Sequence, residues 1–433
     1  MKVCKFGGTS MASAETFKGL KKIILSDKER KFIVVSAPGK RFKGDAKVTD
    51  LLYSAYDEKV KFGRAGDSIG EIINRFKEIC TELKLTTDIE KEVREIEKKI
   101  NQSTSPDYSA SRGEYLAGKV MAEFLGFKFV DAGDIIKFRV DGSFDPDSTN
   151  DLVAELKNEK GGVVIPGFYG RMPNKEIRTF SRGGSDVTGA IIARGVDATV
   201  YENWTDVNGF MASDPNVVEN PVKINTLSYA ELRELSYMGA SVLHPESIFP
   251  VMYAGIPINV KNSFEPQNEG TMIVKSVSGD TPIVTGIAGR KGVATITLYK
   301  SMMNNELGFG RRVLSVLERN GVSFEHLPTG IDTMCIVLSD SFLKGTEEKL
   351  IDEIKGKVNP DSIEVIHNLA LIAVVGHGMA KSKGVAAKIF TALYNANVNI
   401  RMIDQGSSEM NIIIGVEEKE YEASIRAIYG AFF

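Results

Sequence analysis

Short apolar runs of strand length alternate with stretches of helical period along the first part of the chain. Val3, Cys4 and Phe6 form one such run; it breaks at Gly7-Gly8, and a helical pattern begins near Ala14. Phe32-Ile33-Val34-Val35 reads as a buried strand ending at Ser36-Ala37-Pro38-Gly39, and residues 127–130, 162–165 and 198–201 read as others. Strands separated by helices predict a mostly parallel α/β sheet. In open sheets of that kind, ligands bind at the carboxyl ends of the strands. Further on, Ile69, Ile72, Ile73, Phe76, Ile79, Leu83, Val93, Ile96 and Ile100 recur at helical spacing among many Lys and Glu. The spacing predicts two helices broken near Thr86-Thr87-Asp88, with the charges on a solvated face.

From about residue 281 the pattern repeats at an offset of 76 residues. At that offset Val322 meets Val398, Leu317 meets Leu393, Gly308 meets Gly384, and Ile336-Val337-Leu338 meets Ile412-Ile413-Ile414. Each copy reads as a ferredoxin-like βαββαβ unit. The open edges of two such small sheets predict pairing between copies or chains.

Composition narrows the function classes. With 54 basic and 57 acidic residues, charge gives no general attraction to nucleic acid or an anionic membrane. No apolar run is long enough to span a bilayer; the longest, residues 369–375, is strand-sized. The start, Met1-Lys2-Val3-Cys4-Lys5, lacks the apolar region of a signal peptide. Cys4, Cys80 and Cys335 are scattered, without metal spacing or a disulfide framework, which predicts a reduced cytoplasmic setting. At 433 residues the chain should hold two or three domains.

The candidate chemistry sits on two glycine turns. Lys5-Phe6-Gly7-Gly8-Thr9-Ser10 runs from strand to turn to helix start, where backbone N–H groups can face a phosphate beside a lysine. The same residues also describe a tight turn with a Thr/Ser cap, and this segment alone does not decide between the two. Arg182-Gly183-Gly184-Ser185-Asp186 is a second such turn, carrying a carboxylate and a fork-shaped donor. Two basic anion-binding turns in one chain favour a nucleotide and an acidic co-substrate. His244 follows a helical pattern and precedes Pro245, so it reads as a helix-terminal or packing residue. The stretch between Ser36 and Thr49 is long and basic (Lys40, Arg41, Lys43, Lys47), and reads either as a flap over the site or as a solvated loop.

Lys-Phe-Gly-Gly-Thr-Ser at 5–10, Ser-Arg-Gly-Glu at 111–114, Arg-Gly-Gly-Ser-Asp at 182–186 and Trp-Thr-Asp-Val-Asn-Gly at 204–209 together resemble the aspartate kinase family. The resemblance runs nearly end to end and includes Gly239-Ala240-Ser241-Val242-Leu243-His244-Pro245 and a C-terminal half similar to tandem ACT domains. It implies an amino acid kinase fold, a mostly parallel central sheet between helix layers, over residues 1–275. Two ferredoxin-like ACT units would follow at 281–365 and 366–433, and the strand near 283–288 could belong to the second. It implies a kinase that uses ATP with Mg²⁺ to phosphorylate the β-carboxylate of L-aspartate. This is the entry step to lysine, threonine and methionine synthesis. The chain ends at Phe433 soon after the second repeat, which leaves no room for a fused homoserine dehydrogenase.

By the same resemblance, Lys5 and Asp186 are catalytic, and no protein metal site is expected. Ser36, Thr49, Glu114, Phe168, Arg182 and Ser185 would hold aspartate. Taken alone, Glu114 reads as an ordinary surface carboxylate. Lys5, the N–H groups of Gly7, Gly8 and Thr9, the Ser10 hydroxyl, Gly183 and Gly184 would hold phosphate, and Thr205 and Asp206 adenosine. Met211, Asn216 and Ser241 stand where some relatives carry Tyr, Arg and Lys at the nucleotide. Met303, Phe309, Gly310, Phe324, Glu325 and Gly330 would form the site for lysine, or for threonine alone or in concert. Glu325 replaces an Asp of lysine-inhibited relatives, and Gly330 a Ser. A homodimer or tetramer through the ACT units is expected. The rival readings are an amino-acid-sensing ACT protein without catalysis, or another amino acid kinase of the same fold.

Overall fold

The computed structural model describes residues 1–181, 183–240, 242–243, 245–277 and 282–433. Arg182, Ser241 and His244 therefore lie outside the described residues. The chain divides into two units. The first comprises Met1–Phe210, Lys223–Leu232 and Ser241–Val277; the second comprises Met211–Val222, Arg233–Ala240 and Ser278–Phe433.

In the first unit the alternation seen in the sequence becomes β1 (Lys2–Phe6), α1 (Ala14–Leu25), β2 (Arg30–Val35), α2 (Val48–Phe62), α3 (Asp67–Leu83), α4 (Ile89–Gln102) and α5 (Pro106–Leu125). There follow β3 (Lys128–Phe129), α6 (Ala132–Ile135), α7 (Pro146–Ala154), β4 (Val163–Pro166), β5 (Tyr169–Arg171), β6 (Ile177–Thr179), α8 (Gly184–Gly195) and β7 (Val200–Thr205). The last elements are β8 (Thr226–Ser228), α9 (Tyr229–Tyr237), α10 (Phe249–Ala254), β9 (Ile258–Asn262) and β10 (Thr271–Val274), with α9 running on into the second unit. The eight-stranded sheet has the order β3-β4-β2-β1-β7-β9-β10-β8, and only the β9–β10 pair is antiparallel.

Local chemistry sets the boundaries. The break between α3 and α4 falls where predicted: α3 stops at Lys84 in the left-handed region (φ 56°), and Asp88 caps α4 by accepting from the Lys91 N–H. The apolar stripes of both helices join one core with Phe6, Phe17, Val35 and Trp204. The strand expected at 127–130 is Lys128–Phe129; at its start the Phe127 N–H still bonds back to the Ala122 carbonyl, in the turn that Gly126 (φ 71°) makes at the end of α5.

The second unit contains β11 (Gly286–Tyr299), α11 (Phe309–Arg319), β12 (Thr333–Ser339), α12 (Glu347–Val358), β13 (Ser362–Val375), α13 (Val385–Asn395), β14 (Met402–Asp404), β15 (Asn411–Glu417) and α14 (Tyr421–Phe432). The two copies do not form separate small sheets. They share the long antiparallel strands β11 and β13 in one five-stranded sheet, β12-β11-β13-β15-β14. Gly286–Arg290 pairs with residues 371–375, and Ile287 packs with Ile372, Ile414 and Ile425 of the second copy. Beyond a register shift near Gly292 (φ 75°), Ile296 and Leu298 pack with Phe309, Val313 and Ile354 of the first copy. The boundary at 365/366 lies inside β13. Residues 322–325 do not form a regular strand; the chain there pairs with β12 through isolated bridges at His326 and Thr329.

Candidate active site

Lys5 and Asn203 are register partners on the neighbouring strands β1 and β7, so both side chains project from the same face of the sheet. The first turn of α8 brings Asp186 to them. Lys5 Nζ lies 2.6 Å from Asp186 Oδ1, and Asn203 Nδ2 donates to the same oxygen at 2.8 Å. The Tyr201 hydroxyl donates to the Asp186 carbonyl at 3.2 Å. A carboxylate in the first turn of a helix is favoured by the helix dipole. Gly183 (φ 55°) provides the left-handed turn into α8, and Gly184 packs under Phe168, where a Cβ would fall 2.3 Å from the ring. The two glycine turns thus converge through Lys5 and Asp186. Asn203 was missed in the sequence because it lies in no motif.

The first turn differs from the expectation in two details. The Gly7 N–H is engaged by the Trp204 carbonyl at 3.0 Å, so it does not face a ligand. Gly8 and Thr9 keep their N–H groups free among the described residues. A Cβ on Gly8 would fall 3.1 Å from the Ala37 carbonyl, a tight contact. The Ser10 hydroxyl is buried and bonded to Ser263 at 2.7 Å, and Ser263 donates in turn to the Thr205 carbonyl. Ser10 is thereby a link from the first turn to the end of β7. Asp206 accepts from the Thr205 hydroxyl and is exposed.

A cavity of about 300 Å³ opens beside this turn, lined by Gly8, Thr9, Ser36, Thr49 and Glu114 together with residues of the loop 37–47. Glu114 is no surface carboxylate. It projects from α5 fully buried, and its Oε2 has no partner among the described residues. Gly113 permits this, because a Cβ there would fall 2.6 Å from Ala37 Cβ and push α5 away. Burial drives the Glu114 carboxyl up to about 8, against the opposing pull of the Ala37 backbone and the Arg112 guanidinium. Arg112 was also missed in the sequence. It is buried among the rings of Tyr108, Tyr115 and Tyr169, each 4.6–4.8 Å from its guanidinium carbon. Phe168 holds a positive φ of 81°, with its N–H on the Thr188 hydroxyl. It sits with Ser185 at the start of α8 and does not line the cavity. Met211 and Asn216 belong to the second unit, where Asn216 is bonded to Asp214.

In the second unit the proposed effector residues divide. The Met303 and Phe309 side chains are in the first copy's core, which leaves only their backbone for a ligand. Gly308 (φ 75°) starts α11 just before Phe309 and Gly310. Phe324 is partly exposed. Glu325 is already paired: it lies 2.6 Å from Arg290 Nη2 and accepts from the Tyr237 hydroxyl. A Cβ on Gly330 would fall 2.7 Å from the Thr333 hydroxyl.

Residues 1–262 match the amino acid kinase family and residues 372–432 an ACT domain. Aspartokinase 3 of Bacillus subtilis is 39% identical over 450 aligned residues, covering 100% of this chain and 99% of that protein. The crystal structure of Clostridium acetobutylicum aspartate kinase superposes with a TM-score of 0.94 at 50% identity, covering 100% of both chains. Escherichia coli aspartokinase III, 26% identical, was crystallised with aspartate and ADP in an R-state (TM-score 0.79, 100% of both chains). It was also crystallised with lysine and aspartate in a T-state (TM-score 0.77, 100% of this chain and 99% of that one). Matched over its whole length in sequence and in fold, the chain belongs to the amino acid kinase family and, within it, to the aspartokinases.

Proposed function

We propose that the protein transfers the γ-phosphoryl group of ATP to the β-carboxylate of L-aspartate, giving 4-phospho-L-aspartate and ADP. The observation that carries this reading is the Lys5–Asp186–Asn203 cluster between two glycine turns, beside a cavity holding the buried Glu114. The acceptor carboxylate is ionised at neutral pH and needs no general base. Catalysis then rests on positioning and on neutralising charge. Lys5 meets the transferred group and Asp186 orients Lys5. Glu114 takes the acceptor's ammonium, and Arg182 its α-carboxylate. Among the described residues both Asp186 contacts fall on Oδ1, and the Asp186 carboxylate would hold a Mg²⁺ that arrives with the nucleotide. Mg²⁺ needs only one or two carboxylates beside the phosphates, and its chemistry is to neutralise them. The test is ADP release across a panel of amino acids, with hydroxylamine trapping of the acyl phosphate. Trapped product with aspartate alone is expected; none with aspartate would overturn the reading.

The ACT copies make lysine the expected inhibitor, with threonine alone or in concert as the alternative, and the lysine-bound E. coli relative supports this. An effector ammonium at Glu325 would compete with Arg290 and the Tyr237 hydroxyl for one carboxylate. Glu325→Ala should therefore raise the lysine concentration for half-inhibition by on the order of 10–100-fold, as for a charge-assisted bond worth ~1.5–3 kcal/mol. Undiminished inhibition in this variant would move the effector site elsewhere. The edges at β12 and β14 also suit association of the second unit with another copy. Light scattering at micromolar concentration should show a dimer or tetramer, and a species of 47.4 kDa alone would contradict it. The three free cysteines agree with a cytoplasmic setting.

A further inference from the structure

The basic loop between Ser36 and Thr49 is held in place from three directions. Gly39 donates its N–H to the Gly8 carbonyl at 2.8 Å and packs so closely that a Cβ would fall 2.7 Å from the Gly8 carbonyl carbon. Arg75, buried on α3, donates to the Gly39 carbonyl and to Asp45, each at 2.6 Å. Arg41 grips Asp45 through its backbone N–H, Nε and Nη2, and reaches Glu78 at 2.8 Å. The Arg41 and Arg75 guanidiniums hold the Asp45 carboxyl well below the usual carboxylate range.

This clamp engages Arg41 and Arg75 and leaves the loop's three lysines out, two of them at the cavity. Lys40 and Lys47 line the cavity with Gly8, Thr9, Thr49 and Glu114, and neither Nζ has a partner among the described residues. Lys47 also occupies the N-cap of α2, a helix of 15 residues with no side-chain cap. The Val48 N–H goes to the Pro38 carbonyl at 3.1 Å; a lysine at the N-cap offers no acceptor to the N–H groups of Thr49 and Asp50 that follow, and puts its charge at the positive end of the helix. That cost has a purpose if an anion is to sit there. The charge on Lys5 is matched by Asp186 2.6 Å away, so two anionic reactants need further positive charge.

We propose that Lys40 and Lys47, with the N-terminus of α2, are part of the phosphoryl-transfer site, where they neutralise the γ-phosphate of the nucleotide as it meets the acceptor carboxylate. The loop is a fixed wall of the site. The inference rests on reading this cavity as a phosphoryl-transfer site.

The test uses the full chain with Lys40→Ala, Lys47→Ala, the double substitution and Lys47→Arg. Calorimetry with ADP and with a non-hydrolysable ATP analogue accompanies steady-state kinetics. Both lysines are exposed, so thermal midpoints should match wild type. In the double variant kcat should fall on the order of 10–100-fold, less than for a buried oxyanion donor because these charges are solvated. Affinity for the ATP analogue should fall while affinity for ADP holds, and Lys47→Arg should keep most of the activity. A double variant within twofold of wild type in kcat, with an unchanged ratio of analogue to ADP affinity, overturns the proposal. If wild type phosphorylates no aspartate, the proposed function fails, and the affinity ratio still decides the role of the lysines.

Discussion

Lys5→Ala will lower kcat for phosphoryl transfer by on the order of 10²–10³-fold, the loss seen when one preorganised donor to transition-state charge is removed. The substrate KM values should change far less. Lys5, on β1, is buried and held at one place by the 2.6 Å contact to Asp186 in the first turn of α8. Asp186→Asn should cost a similar factor, because it leaves Lys5 without its partner and removes the carboxylate next to the nucleotide. The two losses should be far from additive, since each variant dismantles the same pair. Asn203 touches Asp186 alone of the two, so Asn203→Ala should cost less. Near-wild-type turnover in Lys5→Ala would show that the two glycine turns do not form the active site.

Glu114→Gln will raise the KM for aspartate by on the order of 10²-fold or more, as expected when a site built around a charged partner loses it. Wild type should show a matching pH dependence. Burial pushes the Glu114 carboxyl up to about 8, and it must be ionised to hold an ammonium group. The KM for aspartate should therefore climb as pH falls below about 8, approaching tenfold per unit. Succinate, which lacks the ammonium, should be a poor acceptor at every pH. Stability gives a second readout. The folded-state value lies above the ordinary 4.5, so the folded protein binds a proton here that the unfolded chain has already released. Stability held below 4.5 is lost as pH rises toward 8, and the variant escapes that loss. The Tm of Glu114→Gln should thus gain on wild type between pH 5 and pH 8. A KM that ignores pH, with a Tm difference equal at both ends, would return Glu114 to a structural role.

Features set by neighbouring residues were legible in the sequence. The glycine turns, the strand through Phe32–Val35 and the helices on either side of Asp88 each follow from local spacing and capping, and they appear in the structure. What escaped depends on contacts between distant residues. Asn203 reaches Asp186 only because β7 pairs in register with β1. The Gly7 N–H is taken by Trp204, and the Ser10 hydroxyl by Ser263, more than two hundred residues away. Glu114 reads as a surface residue until Gly113 lets α5 close against Ala37. The loop at 39–47 reads as either a flap or a solvated coil until Arg75 is seen to hold both its Gly39 and its Asp45.

The strands shared by the two C-terminal copies fix the order in which this region can be completed during synthesis. Ile287 pairs with Val374, which leaves the ribosome 87 residues later. At roughly 5–20 residues per second, the half-strand Gly286–Arg290 waits on the order of ten seconds for its partner. In that interval the whole first copy emerges, and the half-strand with Ile287 and Ala288 stays without its partner beside it. Such an edge is open to a nascent neighbour on the same message. Assembly of two chains before either is released, or shielding by a chaperone, would remove the hazard. Excision of residues 281–365 would take the half-strand Gly286–Arg290 away from the second copy's part of the sheet.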